Sequence, residues 1–328
     1  MHAITCRGTG GPDILEWSQV PDAQAGPGEV LVRVTATAVN RADLLQRQGL
    51  YPPPEGASTI LGLECAGQIV ELGAQVHGYQ VGDQVTALLA GGGYGELVAV
   101  PVGQLMPVPT PMSLSESAAL PEAACTVWSN LAMVARLQPG EFLLVHGGGS
   151  GIGTTAIQIA RAMGARVAVT AGSSEKLDLC AELGAEVLID YHTQDFTTAV
   201  ATATGGAGAD VILDIMGAAY FARNVQALAR NGRLVVIGMQ GGLKTEINLG
   251  TLLSRNISVH PTSLRGRPLD EKAAICRAVR EQVWPWVDAG LLRPVIGATL
   301  PLSQAAQAHE LLEAGAVTGK ILLVADGN

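Results

Sequence analysis

One short segment defines the architecture of this 328-residue chain: Glu141-Phe-Leu-Leu-Val-His-Gly-Gly-Gly-Ser-Gly-Ile-Gly153. Residues 141 to 145 form a short apolar run of the kind that is buried on both faces of a parallel sheet. Beyond the glycines, apolar side chains recur at helical spacing, at Ile152, Ala156, Ile159, Ala160 and Met163. The segment therefore predicts a strand, a tight turn and a helix in direct succession.

This succession is typical of a dinucleotide site. Side chains in the turn would hold the backbone away from a pyrophosphate, whereas free N–H groups and the positive end of the new helix attract an anion. Gly147, Gly148 and Gly149 could by themselves be no more than a flexible loop. A second apolar strand, Arg166-Val-Ala-Val-Thr-Ala171, follows the helix and favours the dinucleotide interpretation.

The end of the second strand bears on which dinucleotide is bound. A site for NAD usually has Asp or Glu there, which accepts hydrogen bonds from the ribose 2′-hydroxyl and repels a 2′-phosphate. This chain has Gly172 and Ser173, followed by Lys176 one helical turn later. Small donors and a cation suit a 2′-phosphate, so we predict NADPH. Glu175 opposes this unless it points to solvent at a helix start, and Lys176 is alternatively a solvated surface lysine.

Composition restricts the class of protein. The chain is 48% hydrophobic with 41 glycines and 4% aromatic residues, which fits an α/β enzyme with two domains. Its net charge of -9 argues against a nucleic-acid or membrane-surface binder, because phosphate groups require a basic face. The sequence has no secretory signal pattern and no apolar run of about 18 residues. We therefore expect a cytoplasmic protein whose partners are small molecules.

The five cysteines are scattered, odd in number and without a CxxC pair. That pattern fits neither a disulfide framework nor a structural zinc site. We expect most of them to be small core residues, because an unpaired cysteine behaves as a compact hydrophobic side chain. His146, which precedes the glycines in a buried strand, is likewise expected to be a hydrogen-bonded core residue without a catalytic role.

The pattern along the chain predicts an α/β fold of two domains. After Thr170, helical segments alternate with short apolar runs, as in a doubly wound parallel sheet. The amino-terminal third instead shows two-residue alternation, as in Glu29-Val-Leu-Val-Arg-Val-Thr-Ala36. We predict a β-rich domain over 1–120, a dinucleotide-binding domain over 121–264 and a return to the first domain over 265–328.

Motifs spread along the whole chain resemble one enzyme family. They are Asn40-Arg-Ala-Asp-Leu-Leu-Gln-Arg-Gln-Gly-Leu-Tyr51, Ile60-Leu-Gly-Leu-Glu64, Leu120-Pro-Glu122, His146 to Gly153, Gln158-Ile-Ala160 and Gly319-Lys-Ile-Leu322. The chain resembles the zinc-independent quinone oxidoreductases of the medium-chain dehydrogenase/reductase superfamily, the zeta-crystallin-like group, and within it the p53-inducible quinone reductase type. The resemblance implies a GroES-like catalytic domain and a Rossmann domain that binds NADPH.

The same resemblance makes the absence of zinc ligands meaningful. Zinc alcohol dehydrogenases of this superfamily have a cysteine ligand near the place of Asn40, a histidine at the place of Leu63 and a lobe with four cysteines. This chain has Asn40, Leu63 and the cysteine-free stretch Ala90-Gly-Gly-Gly-Tyr-Gly-Glu96. We therefore expect no metal site, and we expect Glu64 to be an internal hydrogen-bonding anchor.

The resemblance also implies which residues form the site. Asn40 and Tyr51 would lie over the nicotinamide and offer a donor to the developing oxyanion of the substrate. Alternatively, Asn40 closes a turn and Tyr51 is the apolar wall of a pocket. The residues implied to bind NADPH are Asn40, Thr126, Ser150, Gly151, Ile152, Gly153, Gly172, Ser173, Lys176, Tyr191, Ile237, Gly238, Met239, Ser263, Leu264 and Lys320. For Ile237 and Met239, core packing is the alternative.

Three functional hypotheses remain. The leading one is an NADPH-dependent quinone oxidoreductase, because a quinone accepts hydride without the Lewis acid that an alcohol dehydrogenase needs. The alternative is reduction of activated C=C bonds in enones, alkenals or enoyl thioesters by NADPH. A structural or RNA-associated role, as among zeta-crystallin-like proteins, is disfavoured by the acidic composition. The resemblance also implies a homodimer in which an edge strand of the Rossmann sheet pairs across a two-fold axis.

Overall fold

A computed structural model describes residues 1–325 of the chain. These residues divide into two compact units: Met1–Cys125 together with the chain from Leu264 onward, and Thr126–Ser263. The second unit contains a parallel sheet flanked by helices, and the first is rich in antiparallel strands. The predicted fold class, α/β with a doubly wound sheet and a separate β-rich part, is confirmed.

The first unit begins with seven strands and short helices. The strands are β1 (His2–Cys6), β2 (Leu15–Gln19), β3 (Glu29–Ala38), β4 (Glu64–Leu72), β5 (Gln84–Leu88), β6 (Leu97–Pro101) and β7 (Leu105–Pro107). The helices are α1 (Arg41–Arg47), α2 (Leu114–Ser117) and α3 (Pro121–Trp128), with 3-10 turns at Pro12–Ile14 and Val102–Gln104. The second unit begins at Thr126, within α3, and continues with a π-helical turn, Ser129–Val134.

The second unit alternates strands and helices. Its strands are β8 (Phe142–His146), β9 (Arg166–Ala171), β10 (Val187–Asp190), β11 (Ala209–Asp214), β12 (Leu228–Val236) and β13 (Ser258–Pro261). Its helices are α4 (Gly151–Ala162), α5 (Ser174–Leu183), α6 (Phe196–Ala203), α7 (Ala218–Ala227) and α8 (Leu249–Arg255). The sheet order is β10-β9-β8-β11-β12-β13, and every pairing in it is parallel.

The strand order of the second unit places the glycine turn. The chain moves outward from β8 to β9 and β10, and then returns to the other side of β8 with β11. Ligands of doubly wound sheets bind at such a reversal, outside the carboxyl ends of the strands. The glycines that follow β8 lie at this end of the sheet.

The apolar run that predicted β8 is buried because β8 is a central strand. All five of its residues are buried. Leu144 lies opposite Ala168 on one neighbouring strand and Ile212 on the other, and all three are fully buried. Covering a leucine or isoleucine side chain on both faces of a sheet stabilises the fold by about 1.5–3 kcal/mol per residue.

The chain completes the first unit after Ser263. The elements of this part are α9 (Leu269–Gln282), α10 (Trp284–Asp288), β14 (Ile296–Pro301), a 3-10 turn at Leu302–Gln304, α11 (Ala305–Glu313) and β15 (Lys320–Val324). At 14 residues, α9 is the longest helix among residues 1–325, and none in that range is both long and apolar enough to cross a membrane.

The sheet of the first unit is mainly antiparallel. Its order is β14-β15-β3-β4-β5-β7, and β6 also pairs with β3. The alternation that predicted β3 places Val30, Val32 and Val34 in one apolar cluster, while Arg33 is exposed. Val32 lies opposite Val98 on β6 and Ile69 on β4, so its side chain has an apolar neighbour on each adjoining strand.

Most cysteines are core residues, as expected. Cys65, Cys125, Cys180 and Cys276 are buried, and Cys6 is exposed. Burial raises the pKa of the Cys65 thiol to about 12, so this thiol stays protonated at neutral pH. The prediction of small hydrophobic roles for most cysteines is confirmed.

Candidate active site

The turn between β8 and α4 is packed too tightly to admit side chains. Gly147 has a φ of 74°, which glycine adopts without strain. A Cβ on Gly153 would lie 2.3 Å from the Gly147 carbonyl oxygen and 2.5 Å from that of Gly148. The first turn of α4 therefore rests directly on the backbone of the glycine turn. Such close packing of a helix start on a glycine turn is typical of a phosphate-binding turn.

Ser150 caps α4 and closes the turn. Its Oγ accepts a hydrogen bond from the Gly153 N–H at 3.0 Å and donates one to the Gly147 carbonyl at 2.7 Å. The N–H groups of Gly151 and Ile152 lie in the first turn of this 12-residue helix, where no intrahelical acceptor exists. They add to the positive end of the helix dipole. The backbone at 150–153 is therefore suited to bind a pyrophosphate.

His146 supports the turn from inside the sheet. Its Nε2 donates to Asn224 Oδ1 at 2.7 Å, because a carboxamide oxygen can only accept. Its Nδ1 then accepts from the Thr170 hydroxyl at 3.1 Å, and that hydroxyl oxygen accepts from the Gly147 N–H at 3.3 Å. Burial lowers the pKa of His146 to about 4, so the imidazole is neutral. The prediction of a hydrogen-bonded core histidine is confirmed, and Thr170 is a supporting residue that sequence reasoning missed.

The residues predicted for the adenosine end lie together just after β9 and β10. A Cβ on Gly172 would lie 2.2 Å from the Tyr191 hydroxyl, so the phenol lies against the Gly172 backbone. Ser173 caps α5, and its Oγ accepts from the Lys176 N–H at 3.4 Å. The Lys176 stem lies 3.1 Å from the place of a Cβ on Gly149. The ribose end and the glycine turn thus form one continuous surface.

Glu175 and Lys176 differ in exposure. Glu175 is exposed in the first turn of α5, and hydrogen bonds from its own N–H and from Ser173 lower its pKa. Lys176 is half-buried, with its stem against Gly149. Glu175 thus projects to solvent from the helix start while Lys176 borders the glycine turn.

These residues fit a nicotinamide dinucleotide. The backbone at 150–153 would hold its pyrophosphate, and the Tyr191 phenol occupies the space that a side chain at position 172 would need. Lys176 offers an ammonium group at the ribose end, whereas the Ser173 hydroxyl already hydrogen-bonds to the Glu175 carboxylate. The ammonium group suits a 2′-phosphate because a cation forms strong, charge-assisted hydrogen bonds with phosphate oxygens.

Thr126 lies where α3 leads into the π-helical turn. Its carbonyl accepts from Ser129 Oγ at 3.1 Å and from Asn130 Nδ2 at 2.8 Å. Asn130 Oδ1 accepts in turn from the Thr262 hydroxyl at 2.6 Å, just after β13. π-helical turns are frequent at functional sites. Thr126 is therefore held rigidly, and Asn130 is a further supporting residue that sequence reasoning missed.

The other predicted cofactor residues of this region follow the last two strands of the sheet. Ile237, Gly238 and Met239 come directly after β12, at its carboxyl end. Met239 is 57% exposed and Ile237 is half-buried, so the core-packing alternative is wrong for Met239. Ser263 is exposed and follows β13, whereas Leu264 is buried in the first unit.

In the first unit, Glu64 anchors a buried polar cluster. Its Oε1 accepts from Lys320 Nζ at 2.6 Å and from Asn40 Nδ2 at 2.8 Å, and its Oε2 accepts from the Glu122 N–H at 2.9 Å. Glu64 is 0% and Lys320 5% exposed. The predicted role of Glu64 as an internal anchor is confirmed. Lys320 was predicted to bind the cofactor, but its ammonium group forms a buried ion pair with Glu64.

Asn40 uses both of its amide hydrogens within the same cluster. Nδ2 donates to Glu64 Oε1 and to the Ala38 carbonyl at 3.2 Å, and Oδ1 accepts from Lys320 Nζ at 2.6 Å. A substrate oxygen could receive an Asn40 N–H only if one of these bonds broke. The geometry therefore argues against Asn40 as the oxyanion donor. It favours the alternative in which Asn40 closes a turn. The structure adds that the Asn40 amide fixes Lys320 and Glu64.

Asp43 fixes the start of α1 directly after Asn40. Its carboxylate accepts from the Asn40 N–H at 2.8 Å, from the Gly62 N–H at 3.0 Å and from the Tyr94 hydroxyl at 3.4 Å. Burial raises the pKa of Asp43 to about 6, although the backbone hydrogen bonds oppose this rise. Sequence reasoning missed Asp43. The available signal was its place three residues after Asn40, the spacing of a capping box.

Tyr51 is held by an arginine that is distant in the sequence. Arg265 Nη1 donates to the Tyr51 carbonyl at 3.3 Å, and the guanidinium carbon lies 5.4 Å from the centroid of the Tyr51 ring. The tyrosine side chain is half-buried. No local pattern signals this contact, because the two residues are 214 positions apart.

The places of the zinc ligands hold other side chains. Leu63 is a buried leucine, and Asn40 is bonded to Glu64 and Lys320. Between residues 1 and 325, no three His, Cys, Asp or Glu side chains are grouped so that they could hold a metal ion.

Comparison with known proteins identifies the family. The description "Alcohol dehydrogenase GroES-like domain" matches residues 26–110, and "Zinc-binding dehydrogenase" matches residues 151–280. These matches place the chain in the medium-chain dehydrogenase/reductase superfamily. It is also 32% identical to a quinone oxidoreductase of Pseudomonas aeruginosa over 96% of this chain and 97% of that protein. The chain belongs to the zinc-independent quinone oxidoreductase family.

Solved structures share the fold. The Escherichia coli quinone oxidoreductase complexed with NADPH superposes with a TM-score of 0.89 at 28% identity, covering 99% of this chain and 100% of that one. An NAD-dependent alcohol dehydrogenase superposes with a TM-score of 0.87 at 32% identity, covering 99% of each chain. Because the fold is common to proteins described with either coenzyme, the choice between them depends on individual residues.

Another relative is much longer than this chain. A phenolphthiocerol/phthiocerol polyketide synthase of Mycobacterium tuberculosis is 32% identical over 95% of this chain. The chain spans only 14% of the length of that protein. The similarity therefore concerns one segment of a larger enzyme.

Proposed function

We propose that this chain is an NADPH-dependent quinone oxidoreductase. The observation that carries the coenzyme part is the surface formed by Ser173, Lys176 and Tyr191 next to the anion site at 150–153. Gly172 stands where an NAD site usually has a carboxylate, and Lys176 adds a cation one helical turn later. The relatives named quinone oxidoreductase support the acceptor class.

The reaction requires little chemistry from the protein. When bound, the reduced nicotinamide coenzyme supplies a hydride, and reduction of a quinone to a hydroquinone consumes that hydride and one proton. The side chains must orient the acceptor carbonyl and offer a donor where negative charge develops on its oxygen. We assign this donor role to the phenolic O–H of Tyr51. Asn40 and Glu64 hold Lys320 in place.

A substrate panel tests this proposal. Purified protein is mixed with NADPH and a series of ortho- and para-quinones, and coenzyme oxidation is followed by the loss of absorbance of the reduced nicotinamide. We expect turnover with at least one class of quinone and little oxidation without an acceptor. If NADPH binds but no quinone oxidises it, the proposed quinone acceptor is wrong, whereas the proposed coenzyme is still supported.

The second candidate is an NADPH-dependent reductase of activated C=C bonds. The similarity to a segment of a polyketide synthase supports it, because carbonyl-activated alkenes are acceptors that need the same hydride geometry. Enones, alkenals and enoyl thioesters belong in the same panel. A kcat/KM for an enone or enoyl thioester that exceeds every quinone value would favour this candidate.

We also propose that the chain forms a homodimer through an edge of the parallel sheet. β13 is one end of the strand order, and α8 just before it exposes Leu249 by 72% and Leu253 by 79%. Exposed leucines beside a sheet edge are typical of an interaction surface. Light scattering should give twice the chain mass. A monomer at every concentration would contradict the proposal.

A further inference from the structure

Arg265 joins three segments of the first unit through a buried guanidinium group. Nε donates to the Ala90 carbonyl at 2.8 Å, Nη1 to the Tyr51 carbonyl at 3.3 Å and Nη2 to Gln46 Oε1 at 2.6 Å. The residue is 5% exposed, so these bonds are shielded from water. Only arginine offers several donors fixed in one plane, which lets a single side chain bind three acceptors.

These bonds hold the segment 46–59, which carries Tyr51. Gln46 lies in α1, and its Nε2 donates to the Thr59 carbonyl at 2.9 Å, so its side chain links Arg265 to the far end of this segment. The Tyr51 N–H bonds to the Leu45 carbonyl at 3.2 Å. Arg265 holds the carbonyl of the same residue and faces its ring at the distance of a cation–π contact. Both the backbone and the ring of Tyr51 are therefore fixed.

Arg265 is itself held in place. Lys272, on α9, is 4% exposed and donates through Nζ to the Arg265 carbonyl at 3.4 Å. The buried Asp43 carboxyl acts on the guanidinium electrostatically. The arginine is thus supported from α9 and from the start of α1, so its guanidinium group has a defined direction.

We propose that Arg265 is a positioning residue that sets the orientation of Tyr51 for hydrogen bonding to the substrate oxygen. The inference rests on the proposed function, in which Tyr51 is the donor. It assigns Arg265 no contact with substrate or coenzyme. Its effect on the reaction passes entirely through the segment 46–59.

A double-mutant cycle tests this dependence. Arg265→Gln removes the planar fork, and Tyr51→Phe removes the phenolic O–H that the fork orients. We expect Arg265→Gln to lower kcat/KM for the quinone by about 10- to 100-fold, since small displacements of a catalytic group have effects of this size. The dissociation constant of NADPH should stay within about twofold of the wild-type value. The double variant should be no slower than Tyr51→Phe alone, because the two changes remove one function.

Two further variants separate positioning from general stability. Arg267→Gln removes the same charge two residues away, where Arg267 contacts Glu271 at 3.7 Å, and should leave kcat/KM unchanged. Arg265→Lys keeps the charge but lacks the planar guanidinium group. Its kcat/KM should therefore be as low as that of Arg265→Gln, while its unfolding free energy is at least as high. If the losses of kcat/KM in the two single variants multiply in the double variant, the two residues act independently and the proposal is wrong. Wild-type kcat/KM in both Arg265 variants would also overturn it.

Hydrogen exchange decides the structural part independently of activity. The N–H groups of Gln48, Gly49, Leu50 and Tyr51 are all hydrogen-bonded to carbonyls of α1. In Arg265→Lys, a peptide covering 46–59 should exchange faster than in the wild type and in Arg267→Gln, with the rest of the chain unchanged. If the wild type reduces no acceptor, the proposed function fails while this measurement still applies. An unchanged exchange rate in that peptide would show that Arg265 does not hold the segment 46–59 in place.

Discussion

Lys320 Nζ lies 2.6 Å from Glu64 Oε1 although the two residues are 256 positions apart. Lys320 begins β15 and Glu64 begins β4, and both strands are in the sheet of the first unit. The side chains are 5% and 0% exposed. Neither charge can be hydrated in this position, so each depends on the other and on the hydrogen bonds from Asn40 and Glu122.

Removing one charge of this pair should destabilise the protein strongly. Glu64→Gln leaves the buried Lys320 ammonium without a counter-charge, which costs about 3–5 kcal/mol of unfolding free energy. Urea unfolding followed by circular dichroism measures the loss. The control is Glu186→Gln, which breaks the exposed pair with Arg166 and should cost less than about 1 kcal/mol. Equal losses of unfolding free energy in both variants would show that the buried pair contributes no more to stability than the exposed pair.

Lys176 should decide the preference for NADPH. Lys176→Ala removes the ammonium beside the glycine turn, and we expect about tenfold weaker binding of NADPH, equivalent to about 1.4 kcal/mol. Binding of NADH should not change, because it has no 2′-phosphate. Fluorescence titration with both coenzymes measures the two constants. The control Glu175→Gln changes a neighbouring exposed charge and should alter NADPH binding by less than about threefold. Tighter binding of NADH than NADPH by the wild type would reverse the coenzyme assignment.

Gly153 should tolerate no side chain. In Gly153→Ala the new Cβ would meet two backbone carbonyl oxygens at 2.3 and 2.5 Å, so α4 must move away from the glycine turn. We expect loss of measurable NADPH binding and a fall in unfolding free energy of about 1–3 kcal/mol. Gly266→Ala is the matched control, because no atom lies within 4 Å of the place of its Cβ. Normal coenzyme affinity in Gly153→Ala would contradict the anion-site assignment.

His146 should make stability fall in mild acid. Its folded pKa of about 4 lies below the ordinary value of 6.5, so the unfolded chain binds its proton first. Stability from this group is complete above pH 6.5 and is lost as the pH falls from 6.5 to about 4, by about 3 kcal/mol in total. Unfolding free energies at about pH 7, 6, 5 and 4 measure the slope.

The neutral variant His146→Gln provides the comparison. Its unfolding free energy should fall less between pH 6.5 and 4 than that of the wild type, because one proton-binding site of the unfolded chain is gone. Asp43 changes stability in the opposite direction, because its pKa in the folded protein is about 6 and lies above the ordinary value of 3.8. Its contribution to the unfolding free energy is therefore present below pH 3.8 and is lost as the pH rises through 6. Identical slopes in the wild type and His146→Gln would contradict the burial argument.

The sequence by itself determined the parts of this protein that depend on neighbouring residues. The apolar run, the glycines and the helical spacing of 141–163 predicted β8, the turn and α4, because each pattern reflects a local backbone geometry and which faces are covered. The same reasoning predicted the α/β class. It also predicted the buried, hydrogen-bonded character of His146 and Glu64.

Only the tertiary structure decided which distant side chains meet. Asn40 donates one amide hydrogen to Glu64, 24 positions away, and the other to the Ala38 carbonyl, and it accepts from Lys320, 280 positions away. These bonds argue against its predicted donor role. Arg265 reaches Gln46 across 219 positions. The physical reason is that hydropathy periodicity specifies a buried face but not the partner across it. That partner is set by strand order and by which buried donors and acceptors remain to be satisfied.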